Sequence, residues 1–219
     1  MKNFNETVFT IPVLGGIPVS EAVVVTWIIM AVLVIAAFIL TRNLKVDHIS
    51  KRQAVAESIV TGLMNMVQGM VGEKGKAYVP YLTTVMLYIG VSNIIGLFGF
   101  KSPTKDLRVT VALALMSIIL IEAAGIYHKG VKRWLHGFVE PVAIVTPINI
   151  LEVVTKPLSL CMRLFGNVLG AFVIMELLKM ILPVGLPVVF SLYFDIFDGL
   201  LQAYVFVFLT SLYIDEITE

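Results

Sequence analysis

The sequence predicts an all-α integral membrane protein: about five transmembrane helices plus one interfacial amphipathic helix, with the last two helices long and tilted. Three observations predict this class. Hydrophobic residues make up 58% of the 219 residues and charged residues only 14%, whereas soluble domains sit nearer half apolar and a quarter charged. Mean hydropathy is +0.95, and a soluble core of this size would leave too much apolar surface facing water. Apolar runs long enough to cross the hydrocarbon, about 20 residues as helix, recur along the whole chain.

Residues 22–40 form an almost uninterrupted apolar run. Residues 79–100 fit a span with Asn93 embedded, and residues 109–127 fit one with Glu122 near its end. Residues 142–182 and 186–214 are longer and carry several polar groups, so these two segments must tilt or lie partly along the membrane. Between residues 47 and 71, Ile49, Gln53, Ala56, Val60, Leu63, Val67 and Met70 recur at helical spacing, with Lys51, Arg52 and Glu57 off the stripe. That pattern predicts a helix resting in the interface; a short soluble helix in a loop is the alternative. No internal repeat and no separate soluble domain is visible, so residues 1–219 are expected to form a single membrane domain.

Arg42, Lys45, Lys51, Arg52, Lys74, Lys76, Lys129, Lys132 and Arg133 thread to one side, and Lys2, Lys101, Lys105 and Arg108 to the other. The positive-inside rule then puts the N-terminus outside and the C-terminus in the cytoplasm. The chain starts at Met1 without an Arg-rich leader, and its first apolar run is too long for a signal-peptide core.

Several chemistries are not expected. Net charge is +1, so no basic excess points to nucleic acid. A single cysteine, Cys161, leaves no internal disulfide and no Cys-based zinc cluster; within an apolar stretch it reads as a buried thiol. Gly69 to Lys76 has phosphate-loop character, but the spacing is one residue too long and Ala77 replaces the Ser or Thr. Asn5-Glu6-Thr7 is a glycosylation triplet, meaningful only in a secretory pathway. His48, His128 and His136 lack ligand spacing. No cofactor, metal or catalytic site is expected on this chain.

What remains are polar groups inside the membrane segments. A charge at mid-bilayer costs roughly 2.5–3.5 kcal/mol on insertion scales, so such residues are functional candidates. Glu152, Lys156, Ser159, Arg163, Asn167 and Gly170 fall within about 40° of one line on a helix. Glu152 and Lys156 form an i,i+4 pair and partly neutralise each other. Arg163 has no acid at i±3 or i±4 and is too deep to snorkel easily. It cannot realistically deprotonate, so it needs an anion on another helix, on another subunit, or in a water-filled cavity. Gly166 and Gly170 flatten the surface nearby and allow close approach of a partner helix. On the final helix Asp195 and Gln202 share a face, with Asp198 about 40° off it. Gln202 is a reasonable hydrogen-bond partner for a guanidinium. Asp195 and Glu176 suit an outward-facing aqueous entrance, Glu152 and Asn149 an inward-facing one, with Arg163 between. Gln202, Asn93 and Asn167 also fit plain interhelical hydrogen bonds, and Asp198 and Glu122 a polar cavity.

Pro147-Ile-Asn-Ile-Leu-Glu152, then Lys156-Pro-Leu-Ser-Leu160 and Arg163-Leu-Phe-Gly-Asn167, closely resemble the fifth helix of F-type ATP synthase subunit a. Gln202-Ala203, Phe206 and residues 209–213 resemble its last helix. Ser102-Pro-Thr-Lys-Asp-Leu107, with Thr110 and Ala112-Leu-Ala-Leu115, resembles the loop and helix between, and Asn93 with Gly96-Leu97 the preceding hairpin helix. The resemblance spans nearly the whole chain and is weakest before residue 75. It implies a stator subunit with two aqueous half-channels facing a ring of rotor c subunits, held by peripheral-stalk b subunits in a bacterial plasma membrane. The transported ion is H+ or Na+. The resemblance maps the essential arginine onto Arg163 and its supporting glutamine onto Gln202. Many members carry a glutamate nine residues after the arginine; here that position is Phe172, and Glu176, one turn on, is its substitute. The acidic or His position seven before the glutamine is Asp195. A stand-alone secondary transporter would more often show inverted repeats, and a structural scaffold would leave Arg163 unexplained.

Overall fold

The computed structural model describes residues 7–11, 17–42, 51–98, 102–137, 146–181 and 185–218. Lys2, Asn5, Glu6, Lys45, Asp47, His48, Ile49, Phe100, Lys101, Val142 and Leu182, on which the expectations above drew, lie outside the described residues. The element order is β1 (Thr7–Ile11), β2 (Ile17–Ser20), α1 (Glu21–Thr41), α2 (Lys51–Gln68), α3 (Val79–Ile94), α4 (Leu107–Lys129), α5 (Val131–Gly137), α6 (Thr146–Ile181), α7 (Leu186–Ser191), a π-helical segment (Leu192–Asp198) and α8 (Gly199–Thr218). Short 3-10 turns cover Glu73–Tyr78, Ile95–Phe98 and Pro103–Lys105. Among the described residues, five helical segments are long and apolar enough to cross a membrane: Glu21–Thr41, Gly75–Leu97, Leu107–Lys129, Thr146–Ile181 and Val189–Thr218. These are the five expected spans, and the protein is an all-α multi-pass membrane protein. The antiparallel pairing of β1 with β2, in register Thr7↔Ser20 to Ile11↔Ile17, is a small addition the sequence reading did not foresee.

Local chemistry sets the helix limits. Asp106 caps α4, its carboxylate accepting from the Arg108 amide at 2.9 Å, which satisfies one of the unpaired N–H groups of the first turn. The other Asp106 oxygen accepts from Ser20 Oγ at 2.8 Å, tying the end of β2 to the α3–α4 loop. Gly130 ends α4 with φ 76, a left-handed conformation that glycine adopts without steric cost. Pro157 lies inside α6, where it removes one backbone donor.

The ends of the bundle differ in charge. Arg42, Lys51, Arg52, Lys76, Lys129, Lys132 and Arg133 belong to segments at the end where α1 stops and α3 starts; we call it the basic end, and the opposite one the hairpin end. Between them the core is layered. Nearest the basic end, Val67 of α2, Leu82 of α3, Ile118 and Ile121 of α4, and Val207 and Ile214 of α8 are buried together. A middle layer joins Val85 and Ile89, Ala114, Leu160, Cys161 and Leu164 of α6, and Ala203 and Phe206. Cys161 is the buried thiol expected, 3.6 Å from Thr110 Oγ1. Helix α2 turns part of its apolar stripe onto this core, with Gln53 and Val67 buried, while Val55, Ile59 and Met66 point outward.

Lipid tails are as apolar as leucine, so association of spans rests on close packing and interhelical hydrogen bonds. Both meet where α3 crosses α8. Asn93 Nδ2 donates to the Gly199 carbonyl at 2.9 Å, and a Cβ built on Gly199 would lie 2.7 Å from Asn93 Cβ. Thr104 Oγ1 donates to Asn93 Oδ1 at 2.7 Å, and Ser102 Oγ to the Ser92 carbonyl at 2.7 Å. Asn93 is thus an interhelical hydrogen-bonding residue that fixes the α3–α4 loop. Gly199→Ala should cost about 1–3 kcal/mol by overpacking, read as a lower thermal unfolding midpoint of the purified protein; an unchanged midpoint contradicts this packing.

Candidate functional site

Helix α6 contains 36 residues, about 54 Å at 1.5 Å per residue, against a hydrocarbon core of about 30 Å. Arg163 lies at its middle and is exposed. Among the described residues nothing makes a hydrogen bond or ion pair with it. Of the expected polar stripe, Glu152, Ser159, Arg163 and Asn167 are exposed, and Lys156 and Gly170 are half-buried. A Cβ built on Gly166 or on Gly170 would meet nothing within 4 Å. The face around Arg163 is therefore open and flat. A guanidinium facing lipid there would cost several kcal/mol, so this face suits a partner that brings an anion.

The stripe meets α8 at one hydrogen bond. Asn167 Nδ2 donates to Gln202 Oε1 at 2.6 Å. Gln202 was expected to face the guanidinium; its carbonyl instead accepts from Asn167, because Asn167 lies one turn nearer. Gln202 is only 1% exposed, and its Nε2 has no partner among the described residues. Gln202 is among the residues lining a cavity.

This cavity, of about 420 Å³, opens between α3, α6 and the α7–α8 segment toward the hairpin end, and Asn93, Lys105, Asp195, Asp198 and Gln202 are on its wall. The regular helix expected over residues 186–214 is interrupted here, because Leu192–Asp198 is π-helical. Such wide turns recur at functional sites; this one brings both Asp195 and Asp198 to the cavity. Glu176, expected as an acid of this entrance, is not on the wall; it accepts from Lys179 Nζ at 3.0 Å. Lys179 itself is on the wall, a partner readable from its i,i+3 spacing. At Phe172 the ring holds a cation, with Lys105 Nζ 5.0 Å from its centre. Burial pushes the Lys105 ammonium below the usual lysine range, and the Asp195 carboxylate pulls the other way.

A second cavity, of about 630 Å³, opens at the basic end and is lined by Glu122, Arg133, Asn149, Glu152, Lys156 and Glu216 among others. Glu152 and Asn149 lie where expected, but the ion pairing differs. Lys156 Nζ is 3.0 Å from Glu216 of α8 and 3.9 Å from Glu152. Glu216, close to the chain's end, gave no sequence signal linking it to α6. Glu122 accepts from Trp134 Nε1 at 2.9 Å. Along α6 the two cavities are offset: one reaches Lys156, the other begins at Val168, about 18 Å apart. Arg163 lies between them. Among the described residues no group of three or more His, Cys, Asp or Glu is placed to hold a metal.

Residues 23–215 match the family of the ATP synthase A chain. Relatives include the ATP synthase subunit a of Moorella thermoacetica, 35% identical over 203 residues that cover 92% of this chain and 92% of that one. The ATP synthase subunit a, sodium ion specific, of Propionigenium modestum is 34% identical over 215 residues, covering 91% of this chain and 74% of that one. ATP synthase subunit a 1 of Crocosphaera subtropica is 30% identical over 200 residues, covering 90% and 86%. With the match starting at residue 23, the likeness reaches well before residue 75, and the chain belongs to the ATP synthase A chain family.

Proposed function

We propose that this chain is the ion-translocating stator subunit of a rotary F-type ATP synthase, in a bacterial plasma membrane with its N-terminus outside and C-terminus in the cytoplasm. The hairpin-end cavity is the outer half-channel and the basic-end cavity the inner one. The observation that carries this reading is an exposed Arg163, unpaired within the described residues, between two offset polar cavities. The residues in the ion path are Arg163, Asn167, Gln202, Asp195, Asp198 and Glu152. Glu176 acts at the outer mouth through Lys179. The partner on the open face is a ring of rotor c subunits, each bringing a carboxylate, and peripheral-stalk b subunits hold the chain against rotation.

The chemistry follows from electrostatics. A carboxylate passing Arg163 is favoured in its ionised form. At 4 Å and an effective dielectric near 20 the attraction is about 4 kcal/mol, equivalent to about three pKa units. A rotor carboxylate that has released its ion into one cavity can thus pass the arginine charged, whereas a cation moving straight between the cavities is repelled. Arginine suits this role because it stays charged and offers several donors. The coupling ion in this reading is the proton. Sodium is the second reading, favoured by the sodium-specific name of the Propionigenium modestum relative.

Arg163→Ala should abolish coupled ATP synthesis and ATP-driven pumping while the complex still assembles; full ion-driven synthesis by that variant sinks the mechanism. Asp195→Asn or Asp198→Asn should slow proton-driven synthesis in vesicles by about tenfold or more, the usual scale for a positioned proton-transfer group being 10²–10⁴. Glu176→Gln, acting on a group outside the cavity wall, should slow it much less. Equal loss in all three variants contradicts the path drawn here. For the ion, ATP-driven uptake into vesicles with and without sodium decides. Collapse of transport by a protonophore regardless of sodium supports the proton; sodium uptake that persists with the protonophore supports sodium.

A further inference from the structure

A lysine is an unexpected residue on the wall of a cation path. Lys105 is held there by its surroundings. The Ser102–Thr104 turn before it is anchored to Ser92 and Asn93, and its own amide donates to the Ser102 carbonyl at 3.1 Å. Its ammonium sits 5.0 Å from the centre of the Phe172 ring, a contact that attracts a cation without neutralising it. The second cation of this wall, Lys179, is bound to Glu176 at 3.0 Å. With that pair cancelling, Lys105 offsets one of the two acidic charges that Asp195 and Asp198 bring to this wall.

The wall is otherwise one that a small metal cation would enter. Asp195 and Asp198 both line the space, and hard cations take oxygen ligands. We propose, resting on the reading of this cavity as the outer ion entrance, that Lys105 is a specificity-determining residue: a built-in cation that occupies electrostatically the place a sodium ion needs beside Asp195 and Asp198. The entrance then passes protons, which need only a carboxylate or a water to carry them, and rejects sodium. At an effective dielectric near 20, a second unit cation about 6 Å from the ammonium is held on the order of 100-fold less well than on the same wall without Lys105.

The test uses the complete ATP synthase in vesicles, with synthesis driven by an imposed proton gradient and with sodium chloride or choline chloride on the side facing the hairpin-end cavity. The unaltered enzyme should be indifferent to the choice of salt. Lys105→Gln should be slowed by sodium about tenfold relative to choline, and Lys105→Arg should regain indifference. Equal rates of Lys105→Gln in the two salts overturn the proposal. If Lys105→Gln does not assemble, the unaltered enzyme still decides: synthesis driven by a sodium gradient in the presence of a protonophore overturns the proposal, and its absence supports it. Arg163→Ala in the same vesicles separates the two levels. Synthesis retained by Arg163→Ala means that the stator reading has failed, whereas synthesis lost there, with Lys105→Gln indifferent to sodium, means that only the role of Lys105 has failed.

Discussion

The arrangement of this protein depends on one permanently charged group placed where no described residue of its own chain offers a counter-charge. Arg163 lies midway along α6, exposed, and no described residue bonds to it. Charge in hydrocarbon costs several kcal/mol, which disfavours that position for an isolated chain in lipid. The surrounding structure makes sense once the missing anion is supplied from outside. The flat patch at Gly166 and Gly170 leaves room for a helix to approach. A neighbouring face of α6 is anchored by Leu160, Cys161 and Leu164 in the middle core layer, which fixes the rotation of the helix that presents the arginine.

The same constraint organises the polar groups. Each cavity carries acids and lysines near balance, and each draws residues from both α6 and the α7–α8 segment. Lys156–Glu216 joins those two elements at the basic end. Asn167–Gln202 joins them near the middle. These contacts set the relative position of two long helices whose outer faces have little packing of their own: only 17% of the apolar stretch of α6 is buried. Hydrogen bonds and ion pairs therefore do here what apolar burial does in soluble cores.

Much of this was legible in the sequence, for physical reasons. Membrane spans announce themselves because about 20 apolar residues in a row have few other uses, and among the described residues five helices long and apolar enough to cross lie over the five apolar runs, the long fourth one beginning at Thr146. The Arg163 stripe was legible because helical periodicity fixes which residues share a face. Partners across helices were not. Glu152 and Lys156 are close in sequence, so they read as a pair, while the shorter bond from Lys156 goes to Glu216, 60 residues on. Gln202 was matched with Arg163 by chemistry, but geometry gave its carbonyl to Asn167. The π-helical turn left no periodic trace, since seven residues are too few to show a change of pitch. Lys105 read as one charge of an outer loop, because only the folded loop brings it over Phe172.

The central claim is that the open face around Arg163 belongs to a carboxylate-bearing helix of another subunit. Cross-linking tests it most directly. Gly166→Cys places a thiol one turn from Arg163 on the flat patch, where a Cβ meets nothing within 4 Å. In the assembled complex, oxidation should join that thiol to a cysteine introduced beside the membrane-embedded carboxylate of the rotor subunit, giving a product of the combined mass. Failure to form that product, with the same thiol labelled instead by a lipid-soluble reagent, would mean that this face looks into the bilayer and would contradict the account.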